Sequence, residues 1–209
     1  MKKIMTLMSL TVLFLTGCID TSNKKSDEER ESRIETVKID SNMPKIKETK
    51  TINVFKLYER GNGAYTDADK KMIDHTFSTF NHTEQMVYEE SLTFLIDKDY
   101  SKAISLEPEY ASSGIVCVVG LLYNDTSNQI KSIKYEANLK LIINGDEVVL
   151  KNAFELDSPY YSYINPNEAI NIFMEFEAGD YTETLSSISD IVDENTEVNL
   201  NNIEFYYKK

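Results

Sequence analysis

From Ile133 to Ile143 an apolar side chain falls on every second residue: Ile133, Tyr135, Ala137, Leu139, Leu141 and Ile143, with Lys134, Glu136, Asn138 and Lys140 between them. A period of two puts one set on one face of a pleated strand, whereas a helix would scatter the same residues around its axis. This is a strand with one buried and one wet face. Asn144-Gly145 follows at once, a pair that accepts the positive φ of a two-residue hairpin, and Val148–Leu150 supplies the returning strand. A chain containing such a hairpin must bury its apolar side against another layer.

The preceding run, Gly114–Tyr123, is apolar on both parities and β-branched, which fits a central strand covered on both faces. Further strands are expected at Thr51–Glu59, at Ile170–Phe176 after the turn Asn165-Pro166-Asn167-Glu168, and at Ile203, Phe205 and Tyr207. Thr66 with Asp69 three residues on, then Met72, Ile73, Phe77 and Phe80, reads as a capping box opening an amphipathic helix. The stretch Glu84–Ile96 is ambiguous, and we read helix through Ser91 and strand from Leu92. A short helix is expected from Thr184 to Val192, with Leu185, Ile188 and Ile191 inward. Short strands without a repeated strand–helix unit indicate a mainly β fold, an antiparallel sandwich with a helical insertion at 64–110. A loop of that length is the part expected to carry what is particular to the protein.

The amino end is of another kind. Met1-Lys2-Lys3 precedes an apolar run from Ile4 to Leu15, and the stretch closes on Leu15-Thr16-Gly17-Cys18. A basic start, a short greasy segment and small residues before the cut describe a cleaved export signal. The run is shorter than the about 20 residues that a membrane-spanning helix needs. A plain secretory signal and a buried helix are the competing readings. The last four residues resemble the lipobox of bacterial lipoprotein precursors. That resemblance implies a diacylglycerol on the Cys18 thiol, cleavage before it, and a protein held by acyl chains on the outward face of the cell membrane, since two or three chains anchor durably where one does not.

Residues 19–50 carry eight basic and eight acidic side chains and no aromatic residue, whereas residues 51–209 carry twelve basic and twenty-seven acidic ones. The first stretch lacks the apolar content to offset the cost of ordering a backbone, so 18–50 is expected to be the lipidated cysteine with a flexible linker. The second is long enough for one domain with a sizeable core. Loss of Lys2 and Lys3 with the signal takes the formal charge from -13 to -15. So acidic a surface repels nucleic acid and anionic lipid head groups. Apart from Cys18 only Cys117 is present, so no intrachain disulfide can form.

A second resemblance lies in Ile115–Thr126, a hydrophobic strand running into Tyr123-Asn124-Asp125-Thr126, and in Tyr163–Glu168 followed by Ile170–Phe176. Both are similar to segments of Gram-positive lipoproteins with an immunoglobulin-like β-sandwich, with Asn167 where those proteins carry Gly. The likeness covers roughly residues 51–59 and 114–209; segment 64–110 departs from it. It implies a surface-displayed binding or accessory domain and brings no catalytic residues.

Candidate chemistry is sparse. His75 and His82, with Asp74 or Glu84, have the spacing of a metal site only if one helix continues through both, and Asn81 argues that it ends between them. Asp67, Asp69 and Asp74 hint at calcium, yet counting from Asp67 puts Met72 and Ser78 where a calcium loop needs Gly and Glu. Helix capping explains the first two more simply. Asp180, Asp190 and Asp193 are candidates for a loop calcium site. Cys117, set among Val and Ile, lacks the electropositive neighbours of a nucleophile. No phosphate loop, nucleophile elbow or HExxH occurs, and carboxylate pairs are uninformative among 35 acids. No cofactor, metal ion or catalytic residue is therefore expected. Tyr160, Tyr161 and Tyr163 form the most suggestive feature for a partner, because turn aromatics anchor partners at small entropic cost; they equally fit as a plug at the end of the sandwich. The expected function is a lipid-anchored, noncatalytic extracytoplasmic domain that binds a protein or assists an envelope complex, with a solute or glycan receptor as the alternative.

Overall fold

The computed structural model describes residues 34–39, 46–60, 65–143, 145–156, 163–185 and 192–208. The chain divides into two units, 1–31 and 32–209, and every described residue belongs to the second. In chain order its elements are β1 (Ile34–Ile39), β2 (Lys47–Thr51), β3 (Asn53–Phe55), α1 (Leu57–Arg60), α2 (Asp67–Phe80), β4 (Glu84–Tyr88) and β5 (Leu92–Ile96). Then come α3 (Lys98–Ser105), α4 (Pro108–Ser113), β6 (Ile115–Asn124), β7 (Ile130–Ile143), β8 (Asp146–Leu156), β9 (Glu168–Glu177), a 3-10 turn at Gly179–Tyr181, α5 (Thr182–Leu185) and β10 (Glu197–Lys208).

These form a mainly β fold of three sheets with a few short helices. One sheet runs β1-β10-β7-β8, a second β3-β9-β6-β5, and β2 pairs with β4 in a two-stranded ribbon. The alternation in β7 points Ile133, Tyr135, Ala137, Leu139 and Leu141 into a core shared with Val116, Val118 and Leu122 of β6 and Ile170, Ile172, Met174 and Phe176 of β9. Tyr135 stacks on Phe154 at 5.5 Å, and Phe154 meets Phe176 edge-on at 5.7 Å. The other parity of β6 is buried too: Leu121 and Tyr123 pack with Ile52, Val54, Phe80 and Val87, so β6 is covered on both faces. In β10 the register with β7 shifts between Asn201 and Glu204, with Asn202 at φ 48. The extra residue lets Leu200 and Ile203, of opposite parity, both face inward.

β5 pairs with β6 only from Asn124 to Gly120, and beyond that α3 takes its place at the sheet edge. Ser101 Oγ accepts the Val119 N–H at 2.8 Å and donates to the Val119 carbonyl at 3.1 Å. Ser105 Oγ does the same at Cys117, with both bonds at 2.9 Å. Two hydroxyls at i,i+4 on a helix thus match two residues at i,i+2 on a strand, because both spacings are about 6 Å. Gly120 stands where the helix takes over, and a Cβ there would lie 2.1 Å from the Leu95 carbonyl oxygen.

Four expectations are corrected. Strands precede residue 51, since β1 pairs along β10 from Ile34↔Lys208 to Ile39↔Ile203 and β2 pairs with β4. A segment too polar to build a core can still complete an edge, where Val37 and Ile39 pack against the core. Residues 84–88 form a strand, because α2 stops at Asn81 and β2 offers Glu84–Tyr88 a partner. Thr51–Glu59 is broken into the end of β2, β3 and α1. Within 64–110, β5 is the strand expected from Leu92 and β4 adds a second; β3 runs parallel to β9, so the architecture is not wholly antiparallel. The two-residue link at 144–145 is as expected, with Ile143 paired to Asp146 and Gly145 at φ 90.

Candidate functional site

Asn124, at the end of β6, is fully buried and organises the turns around it. Its Nδ2 donates to the carbonyls of Asn128 at 2.8 Å and Ile164 at 3.1 Å, while Oδ1 accepts from the Thr126 N–H at 3.0 Å and hydroxyl at 2.7 Å. One amide thereby fixes the β6–β7 turn against the turn before β9. That second turn is closed by Glu168, whose Oε2 accepts from Asn165 N–H at 3.0 Å and Nδ2 at 2.8 Å. Asn167 sits at φ 62, the left-handed position that Gly fills more often, and the Tyr123 hydroxyl donates to its Oδ1 at 3.3 Å.

Next to Asn124, the Asp125 carboxylate is almost wholly enclosed, with 3 % of its side chain exposed. One oxygen accepts the Glu90 N–H at 2.9 Å and the other binds the Lys50 ammonium, which also reaches Glu48 Oε1 at 2.6 Å. The hydrogen bond to Asp125, then that to Glu48, holds Lys50 well above the ordinary range for an amine, so it stays protonated. Around this pair lies a cleft of about 540 Å³. Val37 and Ile39 of β1 form an apolar wall, Thr126, Ser127, Asn128 and Asn167 add hydroxyls and amides, and Glu48, Glu89, Glu90 and Asp125 set four carboxylates against one ammonium. A smaller hollow of about 210 Å³ lies between β5 and the start of β10, beside the exposed Met86.

The other sequence candidates do not converge on the cleft. His75 Nδ1 lies 2.6 Å from Oδ2 of the buried Asp97, which also caps α3 by accepting from the Tyr100 N–H at 3.1 Å. His75 packs against Tyr100 with the rings tilted at 39° and their centroids 5.2 Å apart, and it is not among the residues lining the cleft. His82 is exposed at φ 61 just past the end of α2, so the helix does not carry both rings. Asp74 accepts from Lys56 and Tyr58, both at 2.8 Å, and the Lys56 bond first among these holds its carboxyl below the usual range. Asp69 completes the capping box with Thr66, Asp67 pairs with Lys70 at 3.5 Å, and Asp193 folds its own turn by accepting from Asn195 N–H at 2.8 Å. Glu84 pairs in the ribbon and Asp180 sits in the 3-10 turn. Among the described residues, no three of His, Cys, Asp and Glu are placed to hold a metal ion. Cys117 is buried, and burial first, then Glu175 and Glu107, pushes its thiol up to about 12.

Cys18, Tyr160, Tyr161 and Asp190 lie outside the described residues; Tyr163 is half-buried beside Ile164, which bridges to Ile130. Among the described residues, no helix is long and apolar enough to cross a membrane. Sequence reading missed Lys50, Asp125 and Asn124 as a group, since each looks like an ordinary polar residue until the strands bring them together. No family model, curated protein or solved structure matches the chain.

Proposed function

We propose that this chain is a lipoprotein, cleaved before Cys18 and held on the outward face of the cell membrane by acyl chains. Its body would be an immunoglobulin-like sandwich that binds an extracytoplasmic protein without catalysis. The lipid reading rests on Leu15-Thr16-Gly17-Cys18 and the short apolar run before it. Support for the fold reading comes from strand order: β6 pairs with β9 in one sheet, β7 with β10 in the other, and β8 flanks β7, matching the crossed B–E and C–F pairs of such sandwiches.

The observation that carries the binding reading is the preformed cleft. Its turns are braced by buried side-chain bonds, and Lys50 is held protonated between carboxylates, so it serves as a fixed charge and not as a base or nucleophile. The cleft lies at the end of the body where β1 begins, because Ile34 pairs with Lys208 and Tyr207 with Ile130. Residues 19–33 then separate Cys18 from β1, a span of about 50 Å at full extension. A partner engaged there would itself stand near the membrane.

Two experiments test this. Cys18→Ser should release the protein from membrane fractions or leave an uncleaved precursor, and normal lipid-labelled mature protein would refute the anchor. Covalent proximity capture on intact cells should enrich a protein that Glu89→Lys with Glu90→Lys loses; identical capture by both would refute recognition at the cleft. The second reading, a solute or glycan receptor, is favoured by the cleft's volume, which lies in the range of small-ligand sites, and by its amides and hydroxyls. Saturable heat of binding with a free sugar or amine, in the absence of any protein, would select it.

A further inference from the structure

Among the described residues β1 has a single strand neighbour, β10, and covers only its second half, Ile203 to Lys208. What it brings is small. Val37 and Ile39 are half-buried against the core, Thr36 and Lys38 are exposed, and Lys38 reaches Glu204 at 3.1 Å with 76 % of its side chain in solvent. An ion pair that exposed contributes little. The surface beneath is demanding: opposite Val37 and Ile39 stand Phe205 and Ile203, 1 % and 2 % exposed, and a row of β10 backbone groups that β7 does not use. An edge strand held from one side over a seat that must be covered belongs to the low end of local stability, where opening precedes global unfolding.

We infer that this edge of β10 is a strand-acceptor seat, filled here by the chain's own β1, and that the protein partner engages it by donating an extended segment in its place. The register states the chemistry of that segment: two apolar residues two positions apart, for the Ile203 and Phe205 positions, with a basic residue between them for Glu204. The same two apolar side chains wall the cleft and face its four carboxylates, so basic residues flanking the donated core are favoured by the field as well. This deepens the partner-binding reading and rests on it.

The test uses the full chain and a fluorescein-labelled peptide of residues 33–40, Arg-Ile-Glu-Thr-Val-Lys-Ile-Asp. The chain should bind this peptide saturably. A chain carrying Lys38→Cys and Glu204→Cys, oxidised so that β1 is pinned to β10, should not bind it, and reduction should restore binding. In a Glu204→Lys chain, a peptide with Lys38→Glu should bind about two- to five-fold more tightly than the unaltered peptide. No saturable binding to the unaltered chain, equal binding to the oxidised and reduced pinned chains, or indifference to the charge exchange would each overturn the seat. If the oxidised chain still captures the cellular partner while excluding the peptide, the seat falls and the partner reading stands. If peptide exchange behaves as described and no form captures a protein on cells, the partner reading fails instead.

Discussion

Ser101 and Ser105 are the side chains whose loss exposes the most about this fold, since each serves both backbone groups of a buried strand residue. Ser105→Ala leaves the Cys117 N–H and carbonyl without partners and Ser101→Ala leaves the Val119 N–H without one, the Val119 carbonyl still accepting the Asp97 N–H at 2.8 Å; orphaned groups in an apolar setting cost about 1–3 kcal/mol. Urea unfolding should place each variant in that range and the double variant well below both; a change under about 0.5 kcal/mol would mean that water fills the gap. Cys117 gives a pH signature of known sign. Its thiol ionises near 9.0 when free and near 12 when folded, so the native state holds the proton more tightly. The stability this contributes is complete below about pH 9 and is lost as pH rises toward 12. In a Cys18→Ser background, iodoacetamide at pH 8.5 should label the urea-unfolded chain and leave the native one unmodified; rapid native labelling would place the thiol outside the core. Burial of Cys117 was legible from its Val and Ile neighbours. The role of the two serines was not, because an i,i+4 pair of small polar residues on a helix normally faces water.

Elements differ in how much of their identity is local. α2 has its capping box and apolar stripe in its own residues, so it was readable without neighbours. β7 and β9 were readable for the same reason, their period of two being sustained over many residues. β1, β2 and β4 were not: five or six residues, all polar in β2 and mixed in β1 and β4, state no clear preference until another strand supplies hydrogen bonds. Removal of residues 34–39 should therefore lower the stability of the body by about 2–3 kcal/mol, from the half-buried Val37 and Ile39 and the uncovered Phe205, whereas removal of residues 22–31 should leave the thermal midpoint unchanged. Equal midpoints for the two deletions would show that β1 adds nothing to the fold.

At the scale of the molecule, a shared core between two four-stranded sheets stabilises the chain without a disulfide, and chelation is not expected to alter this. Among the described residues Asp69 serves as a cap, Glu204 in a cross-strand pair and Asp125 as a turn brace, and no three ligating side chains converge, so an excess of chelator should leave the unfolding midpoint in place. A cooperative loss of structure on chelation would point to an ion bound elsewhere in the chain. The residues by themselves determined that the body is mainly β, that Gly114–Tyr123 lies at its centre and that Ile133 to Leu150 forms a hairpin, because these follow from periodicity and turn chemistry within short windows. Only the tertiary structure decided where folding begins, which way β3 runs, and that Lys50, Asp125 and Asn124 meet around one cleft. The physical reason is range: side-chain period and capping act over a few residues, whereas Lys50 and Asp125 are 75 positions apart and are joined only when β2 and the β6–β7 turn are carried to the same end of the body.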